Sequence, residues 1–232
     1  LVFIEIIYEL DYLKFYPFLI CIFLIGLIDD YGFKINPNIR LLCLFIILLL
    51  FFYIFDLKLR TTGIGILDSF INIYNLQYIT VSICFLIIIN GSNFIDGVNG
   101  NLSIHYIILF LFIFLITPPL QEGLKIEVQS LLICFVAFLF FNLKNKLFFG
   151  DGGAYLSGAI LGLLIIFLMY DDTSISPFFY IILTSYLGSE VLVSFVRRVI
   201  KKESGVIADF NMTDGLLQGF INKINMNRLS RP

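Results

Sequence analysis

Charge is scarce in this 232-residue sequence. Asp, Glu, Lys and Arg make up 14% of it, where a soluble domain carries about 25%. The net charge of −2 excludes the basic face that nucleic-acid binding requires, so no nucleic-acid partner is expected. Cysteine is limited to Cys21, Cys43, Cys84 and Cys134. Each sits in an apolar run with no close partner and no adjacent histidine, which excludes a disulfide framework and a zinc site and leaves four small buried apolar residues. No basic start followed by a cleavage site is present, so no secretory leader is expected. The chain begins with Leu rather than Met, as a fragment or a processed product would.

What is abundant is apolar side chain. Hydrophobic residues reach 59%, Phe alone supplies 27, and the mean hydropathy is +0.99. A water-exposed surface cannot absorb that excess, so a soluble fold and a disordered chain are both excluded. Charges divide the chain into seven uncharged runs: 15–28, 41–55, 69–95, 97–121, 128–143, 152–170 and 173–189, the last continuing past Glu190. A spanning helix needs about 20 residues. The first two runs are short and qualify if Tyr12 and Lys14 lie at one interface and Asp29 and Arg40 at the other. None of the runs alternates apolar with polar residues, which argues against a membrane barrel. The expectation is an all-α, polytopic integral membrane protein with about seven transmembrane helices, near 12–29, 40–56, 76–93, 102–118, 127–143, 153–170 and 177–197. Residues 1–232 then form one membrane-embedded domain with a tail over 198–232.

Lys and Arg set the orientation. If the first span ends inside at Asp29, eleven cations fall inside (Lys34, Arg40, Lys144, Lys146, Arg197, Arg198, Lys201, Lys202, Lys223, Arg228 and Arg231) and four outside (Lys14, Lys58, Arg60 and Lys125). The positive-inside rule therefore puts the tail in the cytoplasm.

The polar residues collect in three places. Asp29 and Asp30 end the first span, with Asn36, Pro37 and Arg40 following. The third span ends N-G-S-N-F-I-D-G-V-N-G, which supplies Asn90, Asn93, Asp96 and Asn99. The loop before the sixth span holds Asn142 and the run F-F-G-D-G-G, with Gly150, Asp151 and Gly152. All three fall on the cytoplasmic face. Polar groups near bilayer depth are costly and usually face a cavity. Asn90, Asn93 and Asp96 recur every third residue and share one side of a helix end. The glycines around Asp151 free the backbone to approach a ligand, and Asp151 stands at a helix N-terminus, which favours anions. Carboxylates, amides and glycine backbone together suit Mg²⁺ carrying substrate phosphates, with Mn²⁺ as the alternative ion. Taken singly, each cluster also has a plain reading as a solvated loop or a helix cap.

These residues resemble the polyprenyl-phosphate N-acetylhexosamine-1-phosphate transferase and phospho-N-acetylmuramoyl-pentapeptide transferase family, glycosyltransferase family 4. The likeness lies in G-L-I-D-D-Y-G-F-K-I-N-P-N-I-R-L from Gly26, N-G-S-N-F-I-D-G-V-N-G-N-L from Asn90, F-F-G-D-G-G-A-Y-L-S-G from Phe148 and, more weakly, S-E-V-L-V-S-F-V-R-R from Ser189. It implies transfer of a sugar-1-phosphate, of N-acetylhexosamine type, from a UDP-sugar to undecaprenyl phosphate, with release of UMP. That reaction is the first membrane step of cell-envelope glycan synthesis, at a bacterial inner membrane with the site facing the cytoplasm. Asp151 would then be the metal ligand, Asp29 and Asp30 catalytic or lipid-phosphate-positioning carboxylates, and Asp96 a further catalytic carboxylate. Asn90, Asn93, Asn99, Asn142, Gly150, Gly152 and Arg40 would contact substrate. A homodimer stays open. The pattern departs from the family in lacking spans at both ends. It also has Met212 and Asp214 where the family has a His-x-His, which leads to an expectation of poor turnover. Two other readings remain: an inactive homologue that binds metal or lipid phosphate, and a cation-coupled transporter.

Overall fold

The computed structural model describes residues 12–33, 35–71, 76–116, 122–171 and 175–203. Among them every regular element is helical. A 3₁₀ turn, Tyr12–Phe15, leads into α1 (Tyr16–Asp30). Asn36 then caps α2 (Pro37–Ile54), its side chain accepting the Asn38 N–H at 3.0 Å, with Pro37 pre-set for the first turn. There follow a short α3 (Gly65–Ile71), α4 (Leu76–Ile95), α5 (Asn101–Ile116), α6 (Glu122–Asn142), α7 (Gly150–Asp171), α8 (Pro177–Leu183) and α9 (Ser185–Glu203).

Among the described residues four helices, α2, α4, α6 and α7, are long and apolar enough to cross a membrane, and a fifth crossing results if the bent pair α8–α9 counts as one, against the seven expected. α1 and α5 have 15 and 16 residues, or about 22–24 Å against an apolar bilayer core of about 30 Å. Uncharged runs in a sequence do not fix where a helix starts and stops. The stretch 177–197, expected as one span, bends by 59° at a break between α8 and α9. Thr184 stands at the break, its hydroxyl donating to the Tyr180 carbonyl at 2.9 Å. A hydroxyl bonded back onto its own helix is a known cause of bending. No helix is expected from the sequence between 57 and 75, yet α3 forms there. Its Asp68 accepts from Thr62 N and Oγ1 at 2.6 and 2.7 Å and from Gly63 N at 3.0 Å. The expectations placed on Lys34, Met212, Asp214 and the rest of 204–232 lie outside the described residues.

α4 and α7 form the centre. Inside the protein lie 78% of the apolar stretch of α7 and 67% of that of α4, against 28% for α2 and 17% for α6. α7 packs on both α1 and α4, α2 and α9 flank α4, and α5 pairs with α6. The inward faces read at helical spacing: Phe18, Ile22 and Gly26 on α1, and Arg40, Leu44, Leu48 and Phe51 on α2. The outward faces are as apolar as the core, with Ile20, Leu24 and Ile28 on α1, Leu42, Ile46 and Leu50 on α2, and Ile104, Ile108, Leu111 and Leu115 on α5. A helix apolar on both faces is at home in lipid. The four cysteines, expected as buried, instead lie exposed as free thiols on α1, α2, α4 and α6, where a small apolar side chain is equally well placed.

At the bundle end remote from the three polar clusters, the loop after α2 is pinned to α4 and α7. Asp56 pairs with Lys58 at 2.8 Å and accepts the Tyr78 hydroxyl, while Tyr170 accepts from Lys58 N at 3.1 Å and donates to Lys58 O at 2.9 Å.

The tightest crossing joins α1 to α7. A Cβ on Gly26 would lie 2.5 Å from Gly152 Cα and N, so the two backbones touch where any side chain would force them apart. Gly26→Ala should therefore destabilise the bundle by about 1–3 kcal/mol. Thermal melting in detergent checks this, and an unchanged midpoint would show that the contact is not a close one.

Candidate active site

The Gly26–Gly152 crossing sets the last turn of α1 on the first turn of α7. A helix start leaves N–H groups without intrahelical acceptors. Here Asp30 supplies them from another helix: its Oδ1 accepts Asp151 N at 2.8 Å and its Oδ2 accepts Gly152 N at 3.0 Å. Gly150 makes this possible. Its φ is +63°, and a Cβ there would stand 2.6 Å from Asp30 Oδ2. The Asp151 side chain is thereby held at the mouth of α7.

Asp29 points elsewhere. Successive helical residues diverge by about 100°, so Asp29 turns toward α2 while Asp30 turns toward α7. Arg40, on the first turn of α2 and only 4% exposed, donates through Nη1 to Asp29 and, at 2.5 Å, to Asp151. The face of Tyr155 lies 5.5 Å from the guanidinium carbon. One buried cation thus joins α1, α2 and α7.

The end of α4 closes the group. Every residue from Asn90 to Ile95 is buried. The Asn90 amide donates to Leu86 O at 2.7 Å, and Asn93, 4% exposed, lies beside Tyr155. Asp96 follows the last helical residue. Burial raises its carboxyl, and the negative charges of Asp151 and Asp30 raise it further, to about 7. Asp29, Asp30, Asp96, Asp151, Arg40 and Asn93 are therefore gathered in one place from four helices. Asn99 and Asn142 meet the neighbouring loop instead. Asn142 accepts Gly100 N at 2.5 Å and donates to Leu147 O at 2.8 Å, and Asn99 donates to Asn145. Together they clasp the segment after Asp96 to the one before α7.

Sequence reasoning passed over three residues. Tyr155 stands four residues after Asp151, hence on the same helix face, and that spacing was its signal. Gly26 was quoted only as the start of a motif. Arg198, on α9, lies 5.7 Å from the Phe94 ring and close enough to Arg40 to sense its charge; only the R-R pair hinted at it. His105 packs 5.0 Å from the Tyr186 ring, apart from the carboxylates. Among the described residues no three His, Cys, Asp or Glu side chains close into a ready-made metal cage.

Comparison with known proteins settles the lineage. The model of Glycosyl transferase family 4 matches residues 12–169. The chain belongs to this family. As a family member it is 27% identical, over 94% of its length and 65% of the relative's, to an undecaprenyl-phosphate alpha-N-acetylglucosaminyl 1-phosphate transferase of Thermotoga maritima. It is 29% identical, over 60% of its length and 47% of the relative's, to a phospho-N-acetylmuramoyl-pentapeptide-transferase of Dictyoglomus turgidum. The aligned part spans about half to two-thirds of these curated relatives. No solved structure matches the chain. The match contains Asp29, Asp30, Arg40, Asp96, Asp151 and Tyr155, and Arg198 lies beyond it.

Two stability measurements follow from this geometry. Asp30→Ala strips the α7 start of both acceptors and should cost about 1 kcal/mol, with Asp30→Asn recovering part of it through its single carbonyl oxygen. Equal melting of Asp30→Ala and the parent would refute the capping role. Asp96 gives a pH signature. Its folded-state carboxyl is raised, so the folded protein keeps a proton that the unfolded chain has already released, and stability is lost as pH rises toward about 7. Without divalent cations, the protein should melt lower at about pH 8 than at about pH 6, and Asp96→Asn should flatten that difference. A slope that survives the substitution would assign it to another group.

Proposed function

We propose that the protein transfers a sugar-1-phosphate, of N-acetylhexosamine type, from a UDP-sugar to undecaprenyl phosphate with release of UMP, at the cytoplasmic face of a bacterial inner membrane. The observation that carries this is the gathering of Asp29, Asp30, Asp96 and Asp151 at one end of an apolar helix bundle, with Arg40 paired to Asp29 and Asp151, in a member of a family whose relatives are named as an N-acetylglucosaminyl 1-phosphate transferase and a phospho-N-acetylmuramoyl-pentapeptide-transferase.

The donor set fits Mg²⁺, with Mn²⁺ as the substitute. It consists of carboxylate oxygens, and the Asp96 carboxyl, raised first by burial and then by the charges of Asp151 and Asp30, stands close to two other carboxylates. Mg²⁺ is commonly held by one or two protein carboxylates plus substrate phosphates, so a full protein cage is not required. Asp151 would hold it. When bound, Mg²⁺ neutralises a diphosphate and eases departure of the nucleoside monophosphate.

The chain's own residues bind and orient. A lipid phosphomonoester, with a second pKa of about 6, is largely dianionic at neutral pH and needs little help from a base. One of its oxygens forms a bond to the sugar-linked phosphorus, and the bond from that phosphorus to the UMP oxygen breaks, the electron pair leaving with UMP. Asp30 fixes the α7 start, and through it the direction of Asp151. Asn93 and Asp96 line the nucleotide-sugar side. Asp29 stands beside Asp151 to position the lipid phosphate. Outward faces without charge along α1 and α2 suit contact with a lipid substrate arriving in the bilayer plane.

The test is binding of a UDP-N-acetylhexosamine with and without Mg²⁺, followed by UMP release on adding undecaprenyl phosphate. Asp151→Asn should weaken the Mg²⁺-dependent binding about 100-fold and remove UMP release, with the helical content unchanged. Mg²⁺-dependent affinity that survives the substitution would overturn the metal assignment and leave Asp151 as a helix-start residue alone.

A further inference from the structure

A guanidinium set among carboxylates that are to hold a divalent cation is a competitor as well as a neighbour. Arg40 Nη1 bonds the Oδ2 atoms of both Asp29 and Asp151, the second of which carries the metal in the function proposed above. Arg cannot yield its charge by losing a proton at any ordinary pH. A divalent ion bound to these carboxylates therefore competes with the guanidinium for the same negative charge, and where it takes the same Oδ2 atoms it displaces an N–H from them.

The surroundings support Arg40 on one side and repel it on another. Its stem starts from the first turn of α2, so the head group swings from a fixed point next to α1. The Tyr155 ring lies 5.5 Å from it, and an aromatic face supports a guanidinium without tying its N–H groups to one acceptor. Arg198 stands close enough to sense its charge, so Arg40 is repelled from that side. A guanidinium released from carboxylates in so buried a place needs another anion. The planar fork of Arg matches phosphate oxygens as well as carboxylate.

We propose that Arg40 is an exchangeable counter-ion: it holds Asp29 and Asp151 together until a divalent cation takes those carboxylates, and then turns its fork onto a phosphate of the substrate. The proposal rests on the assignment of the metal to Asp151. It makes cation and phosphate binding cooperative, because the cation frees the group that the phosphate needs. It also keeps Asp29 and Asp151 from repelling each other before the cation arrives.

The experiment uses the full chain in detergent, with Mn²⁺ as probe read by its electron paramagnetic resonance signal, alone and with inorganic pyrophosphate. Arg40→Gln should bind Mn²⁺ alone about tenfold or more tightly than the parent, because its competitor is gone. The same variant should lose the tightening of Mn²⁺ binding that pyrophosphate gives the parent. Arg40→Lys keeps a charge in place but lacks the fork, and should bind Mn²⁺ about threefold more tightly; if Arg40→Gln does not fold, this variant decides. Parent-like or weaker Mn²⁺ affinity in the folded variants overturns the exchange while leaving the metal assignment standing. Absence of Mn²⁺ binding by the parent, with and without pyrophosphate, overturns the metal assignment and the exchange together.

Discussion

A charge buried in an apolar helix bundle has to be answered by charge of the other sign, and the ion pairs of Arg40 are where this protein meets that requirement. Removing one partner of a buried pair costs several kcal/mol, about 3–5, because the remaining charge has no water to turn to. Three helices are therefore committed to one place. α1 brings Asp29, α2 brings Arg40 on the stripe it would otherwise fill with leucine, and α7 brings Asp151. The bare Gly26–Gly152 contact serves the same end, since the carboxylates reach Arg40 only if the two backbones touch.

Elsewhere the architecture is governed by the lack of contrast between inside and outside. In water a helix shows its inner face by being apolar there alone. Here Leu42 and Leu44 are equally apolar, yet the first faces outward and the second is fully buried. What selects the inner face is size and polarity instead. Glycines and alanines on α7 let α4 approach, and four of the buried polar groups, Ser82, Asn90, Ser92 and Asn93, lie along α4. Ser82, Asn90 and Ser92 turn to carbonyls of the preceding turn, Tyr78 O, Leu86 O and Ile88 O, so polarity can be carried into the core with its hydrogen bonds already made.

The helical class and the gathering of polar clusters were legible in the sequence because both depend on composition along short stretches. Runs free of charge mark helices, and Asp-rich or Asn-rich ends interrupt them. Less local facts were not legible. Asp29 and Asp30 are adjacent and chemically identical, so their different duties, one on Arg40 and one on the start of α7, come from the direction each takes off the helix. Asn142 looks like its neighbours in a polar loop, yet it is spent on joining that loop to Gly100. The bend at Thr184 hides in an apolar stretch, and the described helices α1 and α5 are shorter than the spans expected there, because charges bound a run without bounding a helix. Tyr155, four residues after Asp151, shares its helix face, and that spacing is legible in the sequence.

The knot of Asp56, Lys58, Tyr78 and Tyr170 lies at the opposite end of α7 from Asp151. About 29 Å of helix separates Tyr170 from Asp151. The knot rivets the loop after α2 to α4 and α7 at one end, and at the other α1, α2 and α7 are joined by the ion pairs of Arg40 and the bare Gly26–Gly152 contact. The bundle is laced at both ends, so its apolar outer faces can lie in lipid while the helix ends keep their register.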